Sequence, residues 1–192
     1  MEFAKEDFDL FDREVFAFKQ LKDIYPPETI QRLKEDYQMS WQKWKHIQMT
    51  VATNVSADLQ PKVESWTNGW NLRSHFWCAY RNEAHPNQNA CLAALINRKQ
   101  YQVYLMFQHY KSDQRSGSLA AYNDLRWQIE QWSKDKNLAD YYIWPQVEHE
   151  LEDHCPLAAY LSEPQKQRQL EEKLQGRSFQ IGKLWFPSKS IE

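Results

Sequence analysis

Between Ser74 and Lys111 two apolar segments flank a short polar turn. Cys91–Ile96 is a continuous apolar run of the kind carried by a strand buried on both faces. Asn97-Arg98-Lys99-Gln100 is polar enough to turn, and Tyr101–Tyr110 then alternates, rich in aromatic and β-branched side chains. This pattern predicts an antiparallel hairpin at the centre of a sheet. Ser74–Arg81 also alternates, with His75, Trp77, Ala79 and Arg81 of one parity and Phe76, Cys78 and Tyr80 of the other. It predicts a strand adjoining the hairpin.

Helical spacing governs much of the rest. Lys5–Phe11 predicts a short helix or turn, and Val15, Phe16, Phe18, Leu21 and Ile24 carry an apolar face up to Tyr25-Pro26-Pro27. Pro27 suits the first turn of a new helix. Ile30, Leu33, Tyr37, Trp41, Trp44, Ile47, Val51 and Val55 then recur every three or four residues, one stripe on a helix of about seven turns. Trp41 and Trp44 are both expected to be buried, and Ala57–Pro61 is expected to end the helix. Thr67-Asn68-Gly69 reads as a turn, Asn82–Asn89 and Ser112–Ser118 as polar loops. Ser118 is placed to cap a helix whose apolar positions are Leu119, Tyr122, Leu125, Ile129 and Trp132. Tyr141–Trp144 predicts a short strand stopped by Pro145, and Gln146–His154 a short acidic helix or loop. Ser162-Glu163-Pro164 opens a charged helix ending at Gly176, and Phe179, Ile181 and Trp185 mark the last strand. No repeat, low-complexity segment or linker intervenes. The expectation is one α+β domain over residues 1–192, a mainly antiparallel sheet with a central hairpin and helices packed on it.

Composition narrows the function classes. A chain of 192 residues is long enough to bury a sizeable core, and its 42% hydrophobic and 26% charged content is that of a soluble globular protein. Nine Trp, ten Tyr and nine Phe supply either a core of large rings or a stacking surface, and their recurrence at element spacing favours the core. A net charge of −2 argues against a general grip on nucleic acid or an anionic membrane. Three widely spaced cysteines (78, 91 and 155) make neither a disulfide framework nor a zinc ribbon. No run approaches the ~20 apolar residues of a membrane span, and no apolar leader segment is evident. A reducing cytoplasm is the expected compartment.

Three constellations carry candidate chemistry. The first is a basic and aromatic row of Arg73, His75, Trp77 and Arg81 on one strand parity, closed by His109 on the hairpin, with Arg98, Lys99, Arg177 and Lys183 at the rim. Arginine presents a planar fork suited to phosphate or carboxylate, and the rings can stack another ring. The plainer alternative is that the arginines end their strand in water. The second is His149-Glu150-Leu151-Glu152-Asp153-His154, in which His149 with Asp153, or Glu150 with His154, would share a helical face and suit a divalent cation. Its plainer alternative is a solvated acidic face. The third comprises Ser74 beside His75 and Cys155 beside His154, neither in a recognised nucleophile elbow. Only four glycines occur, at 69, 117, 176 and 182, so no dinucleotide-binding or phosphate-binding glycine loop exists and no cofactor is expected. The expected function is binding of a small anionic or ring-bearing ligand. The alternatives are a metal-assisted hydrolase at the acidic segment and a protein-interaction module; no motif decides whether the protein is an enzyme, and its oligomeric state stays open.

The opening Phe3-Ala4-Lys5-Glu6-Asp7-Phe8-Asp9-Leu10-Phe11, with His75-Phe76-Trp77 and Gln102–Gln108, resembles a group of small uncharacterised bacterial cytosolic proteins. These are the YktB-like domains and relatives, some labelled bacterial glucose-6-phosphate dehydrogenase. The resemblance implies a compact α+β fold without a settled activity. The dehydrogenase label would demand a cofactor loop, from which this chain departs at its missing glycines.

Overall fold

The computed structural model describes residues 3–187. Helices α1 (Lys5–Asp9), α2 (Phe18–Ile24) and α3 (Pro27–Val55) precede strand β1 (Leu59–Val63), the short pair β2 (Thr67–Asn68) and β3 (Asn71–Leu72), and β4 (His75–Asn82). The hairpin β5 (Ala90–Asn97) and β6 (Tyr101–Phe107) follows. Then come α4 (Leu119–Asp124), α5 (Ile129–Ser133), β7 (Tyr141–Pro145), β8 (Cys155–Pro156), α6 (Leu157–Ser162), α7 (Pro164–Lys173) and β9 (Phe179–Trp185). The fold is α+β, with an antiparallel sheet in the order β1-β4-β5-β6-β9-β7-β8, while β2 and β3 form a separate ribbon. The expected hairpin therefore lies at the middle of the sheet beside β4. Its turn is set by Asn97, whose Oδ1 accepts from the backbone N–H groups of Lys99 at 2.8 Å and Gln100 at 3.0 Å. An asparagine side chain that mimics backbone in this way fixes the reversal locally.

Chain contacts gather into two compact units, one built from Met1–Tyr80 and Ala94–Tyr101 with the C-terminal residues, the other from Arg81–Ala93 and Gln102–Trp185. In the first, α3 starts at Pro27 as the sequence predicts and buries Ile30, Tyr37, Trp44, Gln48 and Ala52. Phe11 meets Phe76 edge-on at 4.9 Å, and Trp44 packs on Phe76 at 6.3 Å and Tyr101 at 6.2 Å. Much of the aromatic surplus in this unit is thus core. The stripe departs from expectation in two places. Trp41 is only half-buried, with its indole N–H donating to the Glu64 carbonyl at 2.8 Å. Beyond Trp44 the buried line follows Gln48 and Ala52, each one turn on, leaving Val51 and Val55 exposed. Val51 lies about 100° around the helix from Ala52, off the packed line. Gln48 is tolerated in the core because the Tyr80 hydroxyl donates to its side-chain oxygen.

Leu59–Val63, which includes part of the segment expected only to end α3, forms the edge strand β1, with Pro61 inside it. Proline lacks a ladder donor and is accepted at such an edge.

In the second unit a cluster of Phe107, Tyr122, Ile129, Ile143, Leu157, Tyr160, Leu170, Leu174 and Phe179 forms the core. Ser118 caps α4 as expected, its Oγ accepting from the Ala121 N–H at 3.1 Å. The helix foreseen from Leu119 to Trp132 is interrupted by a tighter 3-10 turn at Leu125–Gln128, so Tyr122 and Ile129 face inward while Leu125 and Trp132 are exposed. β7 and β9 pair antiparallel with Tyr142 opposite Gly182 and Ile143 opposite Ile181. A Cβ added at Gly182 would stand 2.5 Å from the Tyr104 Cβ and 2.6 Å from its Cα, closer than real side chains approach.

Two stability predictions follow from these contacts. Gly182→Ala should lower the urea unfolding free energy by about 1–3 kcal/mol, because an inserted methyl must push two strands apart. Trp44→Ala should cost about 3–5 kcal/mol, the loss typical of a large buried side chain, and Val55→Ala, at an exposed site, should be nearly neutral in the same titration.

Candidate functional site

The five residues of the basic and aromatic row take different partners. Arg73 precedes β4, and its guanidinium is ion-paired with Glu64 at 2.7 Å. Its charge is therefore already neutralised. His75 is half-buried, its Nδ1 3.2 Å from the Ser74 hydroxyl, and Trp77 is buried. These three belong to the first unit, Arg81 and His109 to the second. Arg98 lies 3.8 Å from Asp12, and Lys183 sits 5.0 Å over the Tyr141 ring.

Arg81 and His109 take different partners. The half-buried Arg81 donates through Nη2 to the Gln108 side-chain oxygen and through Nε to the Gln88 carbonyl at 3.3 Å. The neighbouring His109 packs edge-on to Phe107 at 5.0 Å and reaches the Ser178 hydroxyl at 3.2 Å. Burial lowers the pKa of His109, which keeps its ring neutral at pH 7. Ser178 is fully buried and donates its proton to Gln146 Oε1 at 3.0 Å, so His109 Nε2 is the donor in their contact. A histidine that donates to a serine does not activate that serine for attack.

The loop after β6 supplies a residue that pattern reading passed over. Arg115 is half-buried and donates through Nη1 to the carbonyls of Tyr110 at 2.7 Å and Lys111 at 3.3 Å. The loops carrying Arg81's and Arg115's partners are tied together by buried Asn89, whose Nδ2 donates to the Ser112 and Gly117 carbonyls at 3.0 and 2.8 Å. Among the described residues neither Arg81 nor Arg115 is ion-paired. Every acceptor they meet is neutral.

The acidic segment takes the looped form of the two expected for it. It holds a short 3-10 turn, Glu148–Glu150, in which His149 (φ 61°) and Glu150 (φ 55°) are both left-handed. The shared helical faces proposed for His149 with Asp153 and Glu150 with His154 therefore do not form. His149 is half-exposed, 3.3 Å from a Glu148 carboxylate oxygen. Glu150 turns inward: it accepts from the Trp144 indole N–H at 2.6 Å and lies 3.7 Å from His154 Nε2. The buried His154 ring stacks on Trp144 at 4.2 Å, the planes 3° apart. Burial pushes the Glu150 carboxyl up to about 7, while the Trp144, Gln180 and Gln102 side chains favour the charged form and the nearby Glu152 charge opposes it. Left-handed backbone costs about 1–2 kcal/mol per non-glycine residue, and the inward anchoring of Glu150 offsets part of it. Among the described residues no three His, Cys, Asp or Glu side chains gather as a metal site. All three cysteines are free thiols, and burial raises the pKa of Cys91 and of the half-exposed Cys155.

With this geometry in place, comparison with other proteins assigns the chain to a class. The model of a protein family matches residues 3–192, and the chain belongs to that family. A Haemophilus influenzae relative bearing the name "Uncharacterized protein" is 34% identical over 149 residues, 77% of this chain and 70% of its own length. The match supports the bacterial grouping that the opening segment and strands suggest. Among the described residues no helix is long and apolar enough to cross a membrane.

The Glu150 environment makes a prediction about pH. Its carboxyl is raised from 4.5 to about 7 in the fold, so between those values the folded chain holds a proton that the unfolded chain has lost. Stability contributed by this group must then fall as pH rises from about 4.5 to about 7, by up to about 3 kcal/mol. Urea midpoints across that range should show the decline, and Glu150→Gln should flatten it.

Proposed function

We propose that the protein binds a small anionic ligand at Arg81, a phosphate or carboxylate compound, in a reducing cytoplasm. One observation carries this reading: the Arg81 guanidinium is half-buried and held by neutral acceptors, whereas Arg73 is neutralised by Glu64. A cation held in place without a carboxylate has charge left for a ligand, and the guanidinium fork matches planar anions. The three free thiols and the absence of a membrane-crossing helix among the described residues are compatible with that compartment. The metal-assisted alternative finds no cluster of ligands to support it among the described residues.

Thermal-shift titration with phosphate and with simple carboxylates tests the reading. A binder of the native state should raise Tm with concentration, and added sodium chloride should weaken the effect at a half-exposed cation. Arg81→Gln should abolish the anion-dependent rise, Arg81→Lys should keep part of it, and Arg73→Gln should leave it intact. A rise of equal size in wild type and Arg81→Gln, or no rise with any anion, would overturn the assignment.

A further inference from the structure

We propose that Arg81 and Arg115 act together as a two-guanidinium clamp for a free phosphate dianion. This rests on the anion-binding reading at Arg81 and names its ligand class. Three contacts bring the two side chains to one set of loops. The Gln88 carbonyl that accepts from Arg81 belongs to a residue paired in a parallel bridge with Ser116, the neighbour of Arg115. The Asn89 N–H donates to the Ser116 carbonyl at 2.9 Å, and the Ser116 N–H donates to the Asn87 carbonyl at 2.8 Å. The Gln108 N–H donates to the Asn89 carbonyl at 2.9 Å, so the residue whose side chain receives Arg81 is anchored to the same loop. The loops that hold the two arginines are thus tied to each other through their backbones.

A second observation agrees with the first. The buried Cys91 thiol feels the positive charge of both Arg81 and Arg115, which oppose the upward push of burial on its pKa. Each guanidinium uses only part of its five N–H donors, since Arg81 donates through Nε and Nη2 and Arg115 through Nη1 alone. The carboxylates of these loops, Glu83 and Asp113, are exposed, and neither is ion-paired with either arginine. Two uncompensated guanidiniums suit a ligand with two negative charges and several acceptor oxygens, which a phosphate dianion supplies and a monocarboxylate does not.

Calorimetric titration with inorganic phosphate and with acetate, at pH 8 and constant ionic strength, separates this inference from the reading beneath it. Wild type should bind phosphate at least about tenfold more tightly than acetate. Arg115→Gln should reduce phosphate to the acetate level, Arg115→Lys should recover part of the preference, and Arg73→Gln should change nothing. Near-ultraviolet circular dichroism should report the same fold for each variant. Equal affinity for phosphate and acetate, or an Arg115→Gln protein that keeps the preference, would overturn the clamp while leaving anion binding at Arg81 standing. No binding of either anion would overturn both. Sedimentation with phosphatidylcholine vesicles carrying phosphatidic acid should leave the protein in the supernatant; pelleting without binding of free phosphate would overturn the assignment to a free ligand.

Discussion

The second unit depends on the absence of a side chain at position 182. β9 lies between β6 and β7 in the sheet, and at Gly182 its backbone comes so near Tyr104 that no Cβ fits. Everything outward of β9 inherits that approach. β7 is registered on β9 over five residue pairs, β8 is paired in turn with β7, and the segment between β7 and β8 carries Glu150 inward to Trp144. A glycine used here for close packing, with no turn involved, is the least conspicuous kind in a sequence.

The polar interior of the same unit has a different logic from its apolar core. Gln102 and Gln180 are fully buried, and Glu150 nearly so. Carboxyl burial is costly unless donors meet it, and the Trp144 N–H fills that role at 2.6 Å. Trp144 therefore serves twice, as a donor through its edge and as a platform for His154 through its face. Such a network holds two consecutive left-handed residues in a conformation they would not adopt alone.

Local signals made the framework legible, and long-range pairing hid the rest. The hairpin was readable because Cys91–Ile96 is apolar throughout and Asn97 carries its own turn chemistry. Ser118 and Pro27 marked helix starts through backbone preferences that act within a few residues, whereas the charged helix stops at Lys173, short of the Gly176 expected to end it. Gln48 was not readable as core, since its place depends on Tyr80 in another element. Arg73 looked free because nothing in its neighbouring residues reveals the pairing with Glu64. His149 to His154 was read by helical spacing, whereas its backbone turns the other way at two non-glycine positions. Arg115 sat in a loop noted only for its polarity, and its value comes from the partners that the fold places beside it.

The ends of the sheet bear on how the molecule behaves in a crowd of its own kind. An outermost strand exposes a row of unpaired amide and carbonyl groups onto which another chain can zip. Here both outermost strands, β1 and β8, carry a proline, Pro61 and Pro156, and β1 adds Lys62 beside it. A proline breaks the row of donors, and β8 is only two residues long. A second copy arriving edge-on meets an interrupted template on either side, so the fold carries its own resistance to growth into fibrils.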